Sequence, residues 1–212
     1  MKAYKIKITL EDSEPVIWRR IIVPEEITFK KLHEIIQISM GWKDQHMYDF
    51  ELKEEKLRIT CDDEAIAEYE FYSRRKLTEK NDPHGFIADM LKIEPKFSHK
   101  VKIDKYFAKE RNIRYIYDFG DYWKHNILVE EILENYENSH PLCIEGEGAC
   151  PPEDVGGIVG YIEFQEIIKD KNHPKYSDLK EWVENQVYKD TFNIDTTNKL
   201  LTKIISLKKI IE

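Results

Sequence analysis

The chain has 212 residues, of which 41% are apolar, 12% aromatic and 35% charged, with a formal net charge of −8 at pH 7. This composition is globular, too apolar and aromatic for a disordered tail, and long enough to build a core without disulfide or metal staples. The acidic balance excludes a general nucleic-acid coat, whose affinity comes from neutralising phosphates.

The first residues, MKAYKIKITLED, alternate lysine with apolar side chains and lack the apolar run of a signal peptide. No stretch approaches the roughly 20 apolar residues of a spanning helix. Cys61, Cys143 and Cys150 are too few and too odd in number for a disulfide framework. The expectation is a cytoplasmic protein with reduced thiols and no membrane contact.

In chain order, residues 3–10 alternate as a strand, with Tyr4, Ile6, Ile8 and Leu10 on one face and Lys5 and Lys7 on the other. A turn at 12–15 leads to a second strand over 16–23, ended by Pro24, so the pair predicts a hairpin. Thr28 caps a helix running to Met40 and stopped by Gly41, with Phe29, Leu32, Ile36 and Met40 at helical spacing. Residues 47–52 and 57–60 read as strands, 61–70 as an acidic connection and 73–84 as an exposed polar loop. The stretch 86–110 reads as a short helix, a strand and another short helical piece.

Residues 112–119 and 122–133 predict two strands around Gly120-Asp121, a two-residue loop that suits a type II′ turn because glycine accepts positive φ. That register pairs Phe119 with Tyr122, Asp118 with Trp123 and Ile116 with His125. A loop rich in Gly and Pro follows, from Pro141 to Pro152. Helices are predicted over 153–169, with Pro152 at its start, over 177–189 behind a Ser177 cap, and over 195–211 behind Asp195. Leu179, Trp182, Val183 and Val187 face inward on the second of these; Leu200, Leu201, Ile204, Ile205 and Ile211 do so on the third. Strands first and helices last predict an α+β fold. An N-terminal hairpin/helix unit and a central antiparallel hairpin would form a mainly antiparallel sheet, with the C-terminal helices packed on it. One domain spanning 1–212 is expected, with the polar loop near 73–85 as the place for any internal division.

Several residues carry potential chemistry. Arg19 and Arg20 are strand neighbours on opposite faces, both apolar, so each guanidinium needs an acceptor. A carboxylate from Asp118–Asp121 or Glu153-Asp154 is the expected partner; an anion clamp is the functional alternative. In the predicted register Asp118 and His125 lie on one face within side-chain reach, beside Trp123. The pair reads as an ion pair that raises the histidine pKa, or as half of a base-catalytic dyad. His33 faces the apolar stripe of its helix as a core histidine, and His46 follows Trp42 in a loop. His140, Cys143 and Cys150 lack the spacing of a structural zinc site. The glycines of Gly156-Gly157-Ile158-Val159-Gly160-Tyr161 fit close helix packing rather than a dinucleotide fingerprint. No metal and no cofactor are expected.

With these strings in view, the sequence resembles the plasmid pRiA4b ORF-3-like family over nearly its whole length. The resemblance rests on Pro15 to Arg20, on Leu32-His33 with Met40-Gly41-Trp42 and His46, and on Tyr117 to Asp121 with Trp123, His125 and Glu130. It continues through Cys143, Cys150 to Asp154, Gly156, Gly157, Gly160, Tyr161, His173-Pro174, Trp182, Phe192 and Asn198. The family pattern has leucine where Phe29 stands. The resemblance implies no activity to carry over; some members are labelled as transposon passenger or resolvase-like products. The expected function is a non-enzymatic binding or interaction module, taking a protein or small ligand rather than nucleic acid. One alternative is a hydrolase-type enzyme using Asp118–His125 with acids from Asp121, Glu153 or Asp154, with or without a divalent cation. The candidate polar cluster is Arg19, Arg20, Asp118, Asp121, His125, Glu153 and Asp154, with His33, Trp42, His46, Trp123 and Tyr161 as secondary candidates. The other is a DNA-transaction protein.

Overall fold

The computed structural model describes residues 1–78, 80–186 and 188–206. Eight strands form one sheet: β1 (Ala3–Leu10), β2 (Trp18–Pro24), β3 (Tyr48–Leu52), β4 (Leu57–Thr60), β5 (Glu94–Phe97), β6 (Asn112–Tyr117), β7 (Trp123–Leu133) and β8 (Leu142–Glu147). Their order is β5-β4-β3-β6-β7-β1-β2-β8, antiparallel throughout except for the β4–β5 pair. Seven helices accompany the sheet among the described residues: α1 (Phe29–Met40), α2 (Asp63–Ser73), α3 (Phe86–Met90), α4 (Asp104–Phe107), α5 (Gly157–Lys169), α6 (Tyr176–Asn185) and α7 (Ile194–Ser206). The fold is α+β, as expected.

Alternation along β1 sets the two faces. Tyr4, Ile6, Ile8 and Leu10 are buried under α1 and the C-terminal helices, together with Ile17, Ile21, Phe50, Tyr115, Trp123 and Ile127. The opposite face stays polar and laced with ion pairs: Lys5 to Glu131, Arg20 to Glu130 and Glu145, and Arg114 to Glu51. Helix α1 follows its sequence signals closely. Thr28 Oγ1 accepts from Lys31 N at 3.2 Å, and Gly41 ends the helix at φ 111°, in the left-handed region.

Several expectations are corrected. The acidic stretch 61–70 is mostly helix: Asp62 caps α2 through Glu64 N and Ala65 N, and only Ile66 of that helix is buried. The segment read as a loop around 141–147 contains the edge strand β8, paired with β2. Helix α5 starts at Gly157, so Pro152, Glu153 and Asp154 precede it rather than forming its first turn. Ser177 is no cap, because α6 begins at Tyr176, and Asn193, not Asp195, caps α7 by accepting from Thr196 N. Leu201 is buried as expected, whereas Leu200 is 45% exposed. Val187, Ile211 and the Ile205 side chain lie outside the described residues.

Candidate functional site

The central hairpin is where the candidate residues meet, and its register differs by one residue from the expected one. Tyr117 pairs with Trp123, Ile116 with Lys124 and Tyr115 with His125, leaving a five-residue loop, 118–122. The Asp118 side chain causes the difference. Its Oδ1 accepts from Gly120 N at 2.8 Å and its carbonyl from Tyr122 N at 2.6 Å, closing an Asx turn that competes with the ladder. Asp118 and Tyr122 both take positive φ, 57° each.

A one-residue slip sends a strand's side chains to the other face, and it removes the expected pair. His125 is fully buried against Trp42 and Tyr115. Its Nδ1–H donates to Trp123 O at 3.1 Å, and its Nε2 has no partner. Burial pushes its pKa down to about 3, the reverse of the expected rise. No carboxylate reaches it, so the Asp118–His125 dyad does not form.

The arginines are corrected too. Arg19 is buried and meets no carboxylate. Four carbonyls hold it instead: Ser39 O on Nε, Trp18 O and Glu147 O on Nη1, and Gly148 O on Nη2, each at 2.8 Å. Its guanidinium also lies 3.8 Å over the Phe192 ring. A side chain at Gly146 would collide with both, the added carbon falling 2.8 Å from Arg19 Cδ and 2.9 Å from Phe192. Arg20 does find carboxylates, but on the polar face: Glu130 with both oxygens, and Glu145. Neither belongs to the segments expected to supply them.

What converges is a different set. His46, in the loop between α1 and β3, faces the 118–122 loop and the turn before α5. Its Nε2 lies 3.2 Å from Asp154 Oδ1, 3.6 Å from Asp118 Oδ2 and 3.9 Å from Glu153 Oε2. Glu153 is buried, and that burial raises its pKa. Its Oε1 accepts from Lys43 N at 2.8 Å and from Tyr117 OH at 3.1 Å. Tyr117 OH also takes Gln45 N at 3.1 Å, so one phenol ties the His46 loop to Glu153.

Asp121 secures the other side, its Oδ2 accepting from Gly156 N at 3.1 Å. The glycine pair makes this close approach possible. Gly156 and Gly157 have φ of 94° and 68°, and a Cβ on Gly157 would stand 2.5 Å from Asp121 O. Gly157→Ala should therefore cost about 2–4 kcal/mol, strain plus collision, and Gly156→Ala about 1 kcal/mol from strain alone. Urea midpoints of the two variants check that order.

The secondary candidates divide. His33 is a satisfied core residue: Nδ1 lies 2.7 Å from Tyr115 OH, Nε2 2.6 Å from Asp44 Oδ1, and the ring stacks 3.5 Å from Tyr48. Burial lowers its pKa, with Asp44 opposing. Trp42 donates from Nε1 to Pro151 O at 3.1 Å and forms a wall beside Tyr117 and Trp123. Trp123 is buried core, and Tyr161 packs 6.2 Å from Phe164.

A cavity of about 260 Å³ opens between the end of α1, the 149–153 segment and α7. Trp42, Tyr188 and Phe192 wall it, and Arg19 closes its floor. Lys43 and Lys189, both exposed, stand at its edge without an ion-pair partner among the described residues. Cys150 also lines it and, like Cys143, is an unpaired thiol. Burial pushes the Cys143 pKa up to about 11 and raises that of Cys150 well above its ordinary value, with Arg19 opposing in both, so both stay protonated.

No helix among the described residues is long and apolar enough to cross a membrane. A crystal structure of a protein of unknown function from Methanosarcina mazei Go1 has a similar fold, with a TM-score of 0.71 and 31% identity across 92% of this chain and 96% of that one. The uncharacterized protein y4hQ of Sinorhizobium fredii is 31% identical over 184 residues, 87% of this chain and 82% of its own length. The plasmid pRiA4b ORF-3-like pattern matches residues 2–198, and the chain belongs to that family.

Proposed function

We propose that the chain is a binding module that takes a small planar anion in the cavity beside α1 and α7, rather than a hydrolase running on Asp118 and His125. The observation that carries this reading is the lining of the cavity. Trp42, Tyr188 and Phe192 offer flat apolar walls, while Lys43 and Lys189 stand unpaired at the edge and Arg19 lies beneath. Aromatic walls with a few convergent cations suit a flat ligand bearing a carboxylate, sulfonate or phosphate. Against the hydrolase stands His125, which is buried, lacks a carboxylate and has its pKa held near 3, and so cannot act as a base on a substrate. The net charge of −8 weighs against nucleic acid as the partner.

Anilinonaphthalene sulfonate, a planar aromatic anion, is a direct probe, and Trp42 in the cavity wall reports its arrival by fluorescence. One saturable site is expected. Leu200→Trp, at an exposed lining position, should block it, and Lys43→Ala with Lys189→Ala should weaken it about tenfold, the loss of one charge-assisted contact. Dye binding that none of these changes affects would overturn the reading.

A further inference from the structure

We propose that His46, Asp118, Glu153 and Asp154 form a site for one divalent first-row transition ion of the manganese or zinc kind. The site goes beyond the small-ligand reading and shares only Glu153 with the cavity.

Donors bound to one such ion at about 2.0–2.2 Å stand roughly 3–3.6 Å from one another in tetrahedral or octahedral arrays. The three carboxylate oxygens around His46 Nε2 lie at 3.2, 3.6 and 3.9 Å. Ligand atoms of His46, Asp118 and Asp154 all fall within 4.8 Å of each other. Side-chain rotation, above all of the exposed Asp154, closes that set around an ion.

Unmet polar demand points to the same place independently of spacing. His46 Nε2 is shielded from solvent and makes no hydrogen bond, although it faces three carboxylates. The Asp118 side chain is only 9% exposed; its Oδ1 is engaged by Gly120 N, and its Oδ2 points at the cluster without a donor. Buried polar atoms without partners are rare, and His46 Nε2, aimed at a point among acids, marks a place for a cation. Among the described residues, Asp118, Glu153 and Asp154 have no Lys or Arg within ion-pair distance. Three carboxylates facing one imidazole leave an excess of negative charge that a divalent cation removes.

The frame is set in advance. Lys43 N engages Glu153 Oε1 at 2.8 Å, and Tyr117 OH is shared between Oε1 at 3.1 Å and Oε2 at 3.4 Å, with Oε2 3.9 Å from His46 Nε2. The Asx turn fixes Asp118, and Gly156 N holds the 118–122 loop through Asp121. Such outer contacts orient ligands before the metal arrives. One imidazole nitrogen beside carboxylate oxygens selects manganese, zinc or iron over magnesium and calcium, which prefer oxygen alone. The ligand set does not include His140, Cys143 or Cys150, whose spacing does not suit a structural zinc site.

Chelator-treated protein titrated with Mn2+, the free ion followed by electron paramagnetic resonance, should bind one equivalent per chain. Asp154 has a 60% exposed side chain, so Asp154→Asn removes a ligand without disturbing the core. It should weaken binding about tenfold or more, and His46→Gln should do the same while abolishing nitrogen hyperfine coupling in the bound spectrum. Wild-type affinity in both variants would put the ion elsewhere and overturn the proposal, as would the absence of saturable binding at millimolar ion. Mg2+ competing with Mn2+ on equal terms would overturn the imidazole's part.

Discussion

Replacing Arg19 by methionine should destabilise the protein by about 3–5 kcal/mol, because a buried acceptor stripped of its donor costs roughly 1–3 kcal/mol and several are stripped at once. Methionine fills much of the volume, so a void contributes little. Removing the charge also returns part of the desolvation cost of burying it, which holds the loss below the simple sum. Lysine should not rescue: its ammonium is a point donor and cannot span carbonyls from Trp18, Ser39, Glu147 and Gly148 as the planar guanidinium does. Arg20→Met is the contrast. Its partners Glu130 and Glu145 lie on the open face, and the expected cost is about 1 kcal/mol. Location is also testable, since Arg19 ties the end of α1 to the end of β8. Amide exchange in β8 should therefore quicken in Arg19→Met far more than exchange in β1. A wild-type urea midpoint for Arg19→Met would refute the carbonyl cage.

The sequence reveals most where one pattern decides the outcome. Alternation in β1 and β2 and helical spacing with a Thr28 cap in α1 each place their elements correctly, since burial of one face leaves no other register. The same signal is missing from β8. It is an edge strand with only Cys143 buried, and Gly146 interrupts it so that Arg19 and Phe192 can close on one another. The hairpin fails for another reason. Gly120-Asp121 is a good turn signal, but the Asp118 side chain makes a stronger local bond and moves the register by one. His46 is one of the residues that carry the family resemblance, but its spacing in the sequence assigns it no partner. Its meaning comes from three loops meeting in space, and Asp118, Glu153 and Asp154 were candidates for a partnership with the wrong histidine. Arg19 was legible as a buried charge, yet backbone carbonyls, which leave no mark in composition, proved to be its partners.

His125 supplies the second large effect, through pH. Its pKa falls from the ordinary value near 6.5 to about 3 because burial penalises the imidazolium, with only backbone carbonyls opposing. Between those two values the unfolded chain binds a proton that the folded chain refuses. Stability therefore rises with pH across this window. The contribution is complete above about pH 6.5, and each unit of acidification below that removes about 1.4 kcal/mol, on the order of 4 kcal/mol by pH 3. Replacement by a neutral apolar residue should flatten the profile. His125→Leu loses the bond to Trp123 O and some packing against Trp42, so it should be less stable than wild type at pH 8. The gap should narrow or reverse by pH 4.5, where wild type carries the protonation penalty and the variant does not. Urea unfolding of both proteins at pH 8, 6 and 4.5, with the His125 ring followed by NMR, measures this directly. A ring that titrates near or above 6.5 in the folded state, or a gap between the proteins that ignores pH, would restore the imidazolium and an acidic partner for it. A ring that stays neutral to pH 4 removes His125 from acid–base chemistry and leaves His46 as the histidine that meets the acids.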